Sequence, residues 1–289
     1  MIAFVVFDNN AYKCAHSDRM QRIMAAERAL GVKPLANLVV LQELLARARD
    51  SDLRERGRNR SAIRKLGEHC RGDRNGQTVI DFFTHVEGQV YRMLAGEEHP
   101  GDREAFDAFG DLVRVVSQAL LDDDLAEIAE DLEAIEELVQ RAETEYVSLL
   151  AKAIDADVQP NPMTRNLDYA AEKARRAEAL YGRRFTPEQI FAQVLNIAKT
   201  TSIAFAVRDG LVKEVRDKRG GHTNHGNTVW DEEVVSSTSM YTTIQGSPVV
   251  LVTEERRLLA AAAQAGAGDR VMDLAGYETR LNLSPWNDG

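Results

Sequence analysis

Two short apolar runs rich in β-branched residues lie near opposite ends of the sequence. Residues 2–7 read Ile-Ala-Phe-Val-Val-Phe, and residues 249–252 read Val-Val-Leu-Val. Continuous apolar runs of this length indicate strands that are buried on both faces, which is typical of parallel sheets. An Ala/Leu-rich helix over residues 256–265 and a third short strand over residues 271–274 are predicted to follow. Strand, helix and strand in this order predict an α/β fold with a parallel sheet.

The region between the two runs has a helical pattern. Apolar residues recur every three or four positions from Leu112 to Leu150, which is the spacing of amphipathic helices. Before that region, one helix is predicted over residues 18–30 with Gly31 as its end, and another begins at Leu38 with Asn37 as its cap. We therefore predict one discontinuous domain, formed by residues 1–50 and 226–289 and interrupted by a mainly helical insertion over residues 51–225.

Composition narrows the class of protein. Of the 289 residues, 44% are hydrophobic, but no apolar run approaches the length of a membrane span. The first run is too short for the core of a signal peptide and lacks a basic leader. The two cysteines, Cys14 and Cys70, give neither a disulfide framework nor metal-ligand spacing. These features predict a cytoplasmic protein that does not associate with membranes.

Charge is segregated along the chain. The formal net charge of −10 argues against a nucleic-acid-binding protein. Residues 47–74, however, contain ten Lys/Arg and five Asp/Glu, and residues 172–219 contain eleven and six, so each stretch has a net charge of +5. Residues 97–157 contain nineteen acids and four bases, a net charge of −15. Because the local field matters more than the total, the basic stretches are either solvated helix faces or a surface for a polyanion.

Several acidic residues occupy positions where α/β proteins often carry functional groups. Asp8 follows the first strand, and Glu254 and Glu255 follow the later one, at the strand ends where open sheets bind ligands. Asp231 falls in the first turn of a predicted helix, and Glu43 interrupts an apolar helix, where an ionised carboxylate is costly unless it is paired. Each acid alone also has an ordinary explanation: a turn cap for Asp8, a first-turn helix acid for Asp231, a nearby arginine for Glu254 and a subunit surface for Glu43.

Taken together, these positions resemble the motifs of PIN-domain nucleases. The run Phe7-Asp8-Asn9-Asn10 is similar to that family's opening motif, an apolar strand ending in Asp with Asn or Ser two residues later. Residues 38–45, which contain Glu43, resemble the second acidic motif on a buried helix. Residues 230–237, which contain Asp231 near the start of a helix, resemble the third.

Residues 249–255 resemble the fourth motif, because they form an apolar strand followed by Thr253 and an acid. The resemblance covers about residues 1–50 and 226–281. It departs from the family pattern at Asn9, where Thr or Ser is commoner, and at Glu255, where Asp is usual. Glu254 therefore competes with Glu255 for the fourth acidic position.

The resemblance implies a PIN-like, metal-dependent nuclease that uses Mg²⁺ or Mn²⁺. It implies Asp8 and Asp231 as direct metal ligands, with Glu43 and Glu255 binding metal through water or orienting that water. Asn10 and Thr253 are implied as residues that hold the loops by hydrogen bonds. Clustered carboxylates repel one another, and a hard divalent cation both suits oxygen ligands and relieves that repulsion. Such an ion also lowers the pKa of a bound water and stabilises charge on the scissile phosphate.

The resemblance implies RNA rather than DNA as the more common substrate. It also implies a role as a toxin, an RNA-processing enzyme or an antiviral effector. A basic surface must then lead the phosphodiester backbone to the acids. The first candidates are six basic residues beyond the predicted Glu43 helix, although an ordinary exposed helix explains the same spacing: Arg54, Arg56, Arg58, Arg60, Arg64 and Lys65. The acidic segment 97–157 is where a regulatory protein partner or assembly into a homo-oligomer would act.

Two other functions are compatible with the same sequence features. The first is a catalytically inactive PIN-like scaffold whose helices assemble a complex. The second is a different Mg²⁺-dependent phosphohydrolase, also built on acids at strand ends, that acts on a small phosphoester. Substitution of Asp8 and Asp231 distinguishes these alternatives from a nuclease.

Overall fold

The computed structural model describes residues 3–74, 77–155, 162–200 and 226–286. Its strands are β1 (Phe4–Phe7), β2 (Lys33–Asn37), β3 (Arg71–Arg74), β4 (Gln77–Ile80), β5 (Phe82–Phe83), β6 (Val249–Val252) and β7 (Val271–Met272). Five of them form a parallel sheet in the order β5-β2-β1-β6-β7. The other two, β3 and β4, form an antiparallel pair. The predicted α/β class and parallel sheet are confirmed.

Helices account for most of the remaining described residues. They are α1 (Asn9–Cys14), α2 (Ser17–Leu30), α3 (Leu38–Ala46), α4 (Leu53–His69), α5 (Val86–Ala95), α6 (Pro100–Gln118), α7 (Ala129–Asp155), α8 (Pro162–Tyr181), α9 (Pro187–Thr200), α10 (Gly226–Gln245), α11 (Arg256–Gln264) and α12 (Leu274–Arg280). A 3₁₀ helix spans Asp123–Ile128. Within the described residues, no helix combines the length and the apolar character that crossing a bilayer requires.

The centre of the sheet pairs the two apolar runs from opposite ends of the chain. Phe4 is in register with Val249, and Phe7 with Val252. All four residues of β6 are buried, as expected for a strand covered on both faces by helices. The carboxyl ends of β1 and β6 consequently lie side by side, and Asp8 N donates a hydrogen bond to Val252 O at 2.9 Å.

Local sequence signals fix the elements beside β1. Gly31 ends α2 in the left-handed conformation with φ 69°, which glycine adopts without a Cβ penalty. Asn37 accepts a hydrogen bond from Val39 N at 2.9 Å and caps α3. The helix that was predicted to begin near residue 18 begins at Ser17.

The segment that was predicted to be mainly helical also contains strands. The β3–β4 hairpin follows α4, and β5 pairs in parallel with β2 at the edge of the sheet. Side chains from this segment share one hydrophobic core with the sheet, including Leu66 of α4, Val113 of α6 and Leu132 of α7. A second cluster packs α5 against α8. Residues 201–225, the last part of the predicted insertion, lie outside the described residues.

Candidate functional site

Asp8 lies where β1 ends and α1 begins. Its carboxylate accepts hydrogen bonds from Asn10 N at 3.0 Å and from the Thr253 hydroxyl. Thr253 follows β6 and also accepts a hydrogen bond from Glu255 N at 3.0 Å. Of the two predicted supporting residues, Thr253 contacts Asp8 through its side chain, whereas Asn10 contacts it through its backbone amide. These bonds fix Asp8, which is only 6% exposed, at the carboxyl edge of the sheet.

Glu43 approaches Asp8 from α3. Although it lies in a buried run of the helix, its carboxylate is 3.5 Å from Arg47 and accepts a hydrogen bond from the Asn9 side chain. The side-chain carbonyl oxygen of Asn9, Oδ1, is buried and has no hydrogen-bond partner. Glu43 is thus stabilised by a cation and an amide rather than being directed towards an outer surface.

Asp231 and Glu255 share one arginine. Arg257 Nη2 lies 3.9 Å from Asp231 Oδ2, and Arg257 Nε donates to Glu255 Oε1 at 3.2 Å. Glu255 also caps α11, as shown by its side chain accepting from Arg257 N. Asp231 lies on α10, which packs against both β6 and α3. The helix and the strand end therefore place these two acids around one guanidinium.

The four acids affect one another electrostatically. Burial raises the pKa of Asp8 to about 6, with the charges of Glu43 and Glu255 adding to the rise and the Thr253 hydrogen bond opposing it. Burial also raises the pKa of Asp231, and Asp8, Glu255 and Glu43 raise it further while Arg257 lowers it. Glu43 and Glu255 both act on Asp8, and all three act on Asp231. Asp8, Glu43, Asp231 and Glu255 are therefore treated as one group, named here the carboxylate site.

Glu254 points elsewhere. Its carboxylate accepts a hydrogen bond from Leu274 N at 2.9 Å, in the first turn of α12. The two adjacent acids that compete for the fourth position thus have different surroundings. Glu255 faces Arg257 and acts on Asp8 and Asp231, whereas Glu254 secures a helix start.

The donor set of the carboxylate site fits a hard divalent cation in its chemistry. It offers carboxylate oxygens that repel one another, together with the unpartnered Asn9 carbonyl oxygen, and oxygen ligands are those that Mg²⁺ and Mn²⁺ prefer. Among the residues that the structure describes, however, no three His, Cys, Asp or Glu side chains are already arranged around a common point to hold a metal ion. Glu43 and Glu255 instead contact Arg47 and Arg257.

The six predicted nucleic-acid-binding residues lie on α4 in three different environments. Lys65 is buried and donates to Tyr12 O at 3.0 Å, so its ammonium group is not part of the surface. Arg56 and Arg60 both form ion pairs with Asp122. The remaining three, Arg54, Arg58 and Arg64, are exposed.

Arg58 is the member of this set that lies near the carboxylate site. Its charge acts on Lys13 and on Cys14 at the end of α1. Lys13 itself was not predicted, yet burial lowers its pKa and the nearby charges of Glu43 and Arg47 act on it in opposite directions. Lys13 could be recognised as part of the site only after α1 was known to begin at Asn9, because that start places Lys13 near the end of the helix.

Glu143 is a second residue that the sequence analysis missed. Its carboxylate accepts a hydrogen bond from Trp230 Nε1 at 2.8 Å, next to Asp231, and its charge acts on Glu43. Nothing in the sequence distinguishes Glu143 from the other acids of residues 97–157, because its contact spans 87 positions of chain.

We compared the chain with protein-family models, curated proteins and solved structures, and none of them matched.

Proposed function

We propose that the protein is a metal-dependent endonuclease of PIN-like architecture that acts on RNA and uses Mg²⁺ or Mn²⁺. The observation that supports this most strongly is the carboxylate site itself. Four buried or half-buried acids, Asp8, Glu43, Asp231 and Glu255, come from separate elements, and the charges of the others raise the pKa of Asp231, while those of Glu43 and Glu255 raise the pKa of Asp8. A folded protein retains such repulsion at a cost in stability, which favours a role in binding cations.

Asp8 and Asp231 are the proposed direct ligands, with Glu43 and Glu255 binding through water or orienting it. A bound divalent cation supplies Lewis acidity, which stabilises charge on the phosphate and acidifies a water molecule. Thr253 holds the Asp8 carboxylate in one orientation, and Asn9 does the same for Glu43. Fixed ligands lower the cost of ordering the site when substrate arrives.

The cations around the carboxylate site favour a phosphodiester substrate. Arg257 lies beside Asp231 and Glu255, while Arg47 and Lys13 lie beside Glu43. If the carboxylates held a divalent cation, Arg257, Arg47 and Lys13 would lie beside a bound phosphodiester, whose oxygens arginine contacts well. The choice of RNA over DNA is based on the resemblance described above.

The test is cleavage by purified wild type, Asp8→Asn and Asp231→Asn with Mn²⁺ or Mg²⁺. The substrates are labelled RNA, labelled single-stranded DNA and a generic small phosphoester. The matched control is Glu254→Gln, which changes an adjacent strand-end acid but keeps an oxygen that can accept from Leu274 N. We expect both Asn variants to lose at least about 100-fold in RNA cleavage, since each removes a metal ligand, and Glu254→Gln to retain activity.

Each alternative function gives a different result. Cleavage that is unchanged in both Asn variants removes these acids from the mechanism. Cleavage of the small phosphoester alone identifies a phosphohydrolase of another class. Absence of any cleavage, together with a melting temperature that neither Mn²⁺ nor EDTA alters, identifies a scaffold.

A further inference from the structure

Helix α7, in the acidic segment of the predicted insertion, packs against the helices that carry two of the four acids. It contacts α3, which bears Glu43, and α10, which bears Asp231. A hydrogen bond from Trp230 Nε1 to Glu143 Oε1 at 2.8 Å crosses the interface between α7 and α10. The insertion is therefore in direct contact with an element of the carboxylate site.

The contact constrains the residue that precedes Asp231. Trp230 is only 7% exposed, and its indole has a single polar atom, which needs an acceptor when it is buried. Fixing that atom restricts both the rotamer of Trp230 and the rotation of the first turns of α10. The position of the Asp231 carboxylate relative to Asp8 depends on the same rotation.

The chemical identity of the acceptor is informative. A neutral amide or hydroxyl would also accept from an indole N–H, yet position 143 carries a carboxylate whose charge acts on Glu43. A further negative charge beside a repelling group is unfavourable unless the site gains from it. A gain arises when the site attracts a cation, because every nearby negative charge then contributes to the attraction.

We propose that Glu143 on α7 is a positioning residue for Asp231, acting by way of Trp230. With α7 in place, Trp230 is fixed and Asp231 is presented for divalent-cation binding. Loss of the Glu143–Trp230 hydrogen bond frees Trp230 and weakens cation binding, so the insertion takes part in forming the site. This inference rests on the proposed function, because it assumes that the carboxylate site binds Mn²⁺ or Mg²⁺.

The experiment compares variants that separate the hydrogen bond from the charge. Glu143→Gln keeps an acceptor and removes the charge, Trp230→Phe keeps the charge and removes the donor, and Glu143→Ala removes acceptor and charge together. The control is Glu137→Gln, which removes the same charge from an exposed position of the same helix. Mn²⁺ affinity is measured by calorimetry and by the shift of the melting temperature with Mn²⁺ concentration.

A second readout reports on the contact itself. The chain has two tryptophans, so Trp286→Phe leaves Trp230 as the sole indole fluorophore. In that background, Glu143→Ala is expected to shift the emission of Trp230 to the red because the indole loses its partner and gains water. Glu143→Gln and Glu137→Gln are expected to leave the emission unchanged.

The expected pattern is a Mn²⁺ affinity reduced about 10-fold by Trp230→Phe and by Glu143→Ala, reduced less than about 3-fold by Glu143→Gln, and unchanged by Glu137→Gln. Wild-type affinity in Trp230→Phe and Glu143→Ala, with weakened binding in Asp231→Asn, overturns this inference and leaves the proposed function intact. Wild-type affinity in Asp8→Asn and Asp231→Asn overturns the proposed function and this inference with it. If Glu143→Ala does not fold, Trp230→Phe against Glu143→Gln decides the outcome.

Discussion

Asp8 satisfies several constraints at once. It follows the central strand, caps α1 by accepting from Asn10 N, and accepts from the Thr253 hydroxyl. Its burial among other acids raises its pKa to about 6, so its ionised form is less stable relative to the protonated form than in an exposed Asp, and a nearby cation would stabilise it. A carboxylate in such a position is expensive for the fold and useful for a metal site.

Substitution of Thr253 tests how strongly the carboxylate site depends on the orientation of the Asp8 side chain. Thr253→Val keeps the shape of a fully buried side chain but removes both the donor to Asp8 and the acceptor for Glu255 N. We expect a loss of about 1–3 kcal/mol in the free energy of unfolding, because buried polar groups lose partners, and a clear drop in cleavage. Urea unfolding and cleavage rates measure the two effects. Thr253→Ser keeps the hydroxyl, and a loss in that variant as large as in Thr253→Val would contradict the role of the hydrogen bonds.

A second buried cluster of polar side chains surrounds His69. His69 Nε2 contacts Glu27 Oε2 at 2.8 Å, His69 Nδ1 contacts the Tyr12 hydroxyl at 3.0 Å, and the Tyr277 hydroxyl donates to Glu27 Oε1 at 2.7 Å. Burial alone would lower the pKa of His69, but the charge of Glu27, with hydrogen bonds involving Cys70 and Glu27, raises it to about 10. The His69 imidazole is therefore protonated at neutral pH.

This pair predicts a pH-dependent stability. Because the pKa of His69 is higher in the folded state than its ordinary 6.5, its stabilisation is complete below pH 6.5 and is lost as the pH rises towards 10. Glu27→Gln is expected to unfold more easily than wild type by about 3 kcal/mol below pH 6.5, and the difference is expected to shrink as the pH approaches 10. Urea unfolding across this range measures it. A difference that grows with pH would show that the pair is not ionised.

At the scale of elements, sequence patterns predicted those pieces whose signals are local. Strands β1 and β6 are continuous apolar runs, and α2 and α3 carry their own caps in Gly31 and Asn37. The β3–β4 hairpin was missed because Arg71–Arg74 is polar, and β5 was missed because Phe82–Phe83 is only two residues long. Their strand conformation depends on pairing with partners that no local pattern identifies.

The candidate site likewise contains some residues that local sequence signals indicate and others that such signals do not. Asp8 and Glu255 could be proposed from their places after apolar strands, and Glu43 from its position inside an apolar helix. Their proximity could be expected only from a resemblance, since proximity is a property of the fold. Two of the cations could have been foreseen from local spacing, since Arg47 lies four residues after Glu43 on the same helix and Arg257 lies two residues after Glu255. Lys13 becomes part of the site through helix orientation.

Helix α4 gives a prediction about nucleic-acid binding. Arg58 is exposed, lies near Lys13 and pairs with Glu55 of its own helix, whereas Arg56 and Arg60 form ion pairs with Asp122 of another element. We expect Arg58→Ala to weaken RNA binding and to reduce the slope of log affinity against log salt by about 1, because one phosphate contact is lost. Titrations of labelled RNA at several salt concentrations measure this. The control is Arg114→Ala on α6, which removes an exposed arginine that pairs with Asp111; an equal loss there would indicate a general charge effect.

At the scale of the whole molecule, the sheet and the intervening segment share one core. Leu66, Val113 and Leu132 pack with residues of β1 and β6 in the same cluster, and β5 extends the sheet itself. Continuous burial of this kind makes the parts depend on one another for stability, since interiors are close-packed.

This shared core predicts that the ends of the chain do not fold without the middle. Replacing residues 51–225 with a short Gly/Ser linker is expected to abolish cooperative unfolding, because a large part of the buried apolar surface is removed. In the full chain, Leu66→Ala is expected to cost about 2–5 kcal/mol. Circular dichroism melts and urea titrations measure both. A cooperative transition in the linker protein would show that the two ends form a separate domain.

The pairing of β1 with β6 has a consequence for synthesis on the ribosome. The strand that is translated first lies between β2 and a neighbour, β6, that is translated only after most of the chain has been made. A nascent polypeptide that stops before residue 249 lacks both that neighbour and Glu255, one of the four acids of the carboxylate site. If the mature protein degrades RNA, the machinery that makes it is shielded from attack until translation is nearly finished.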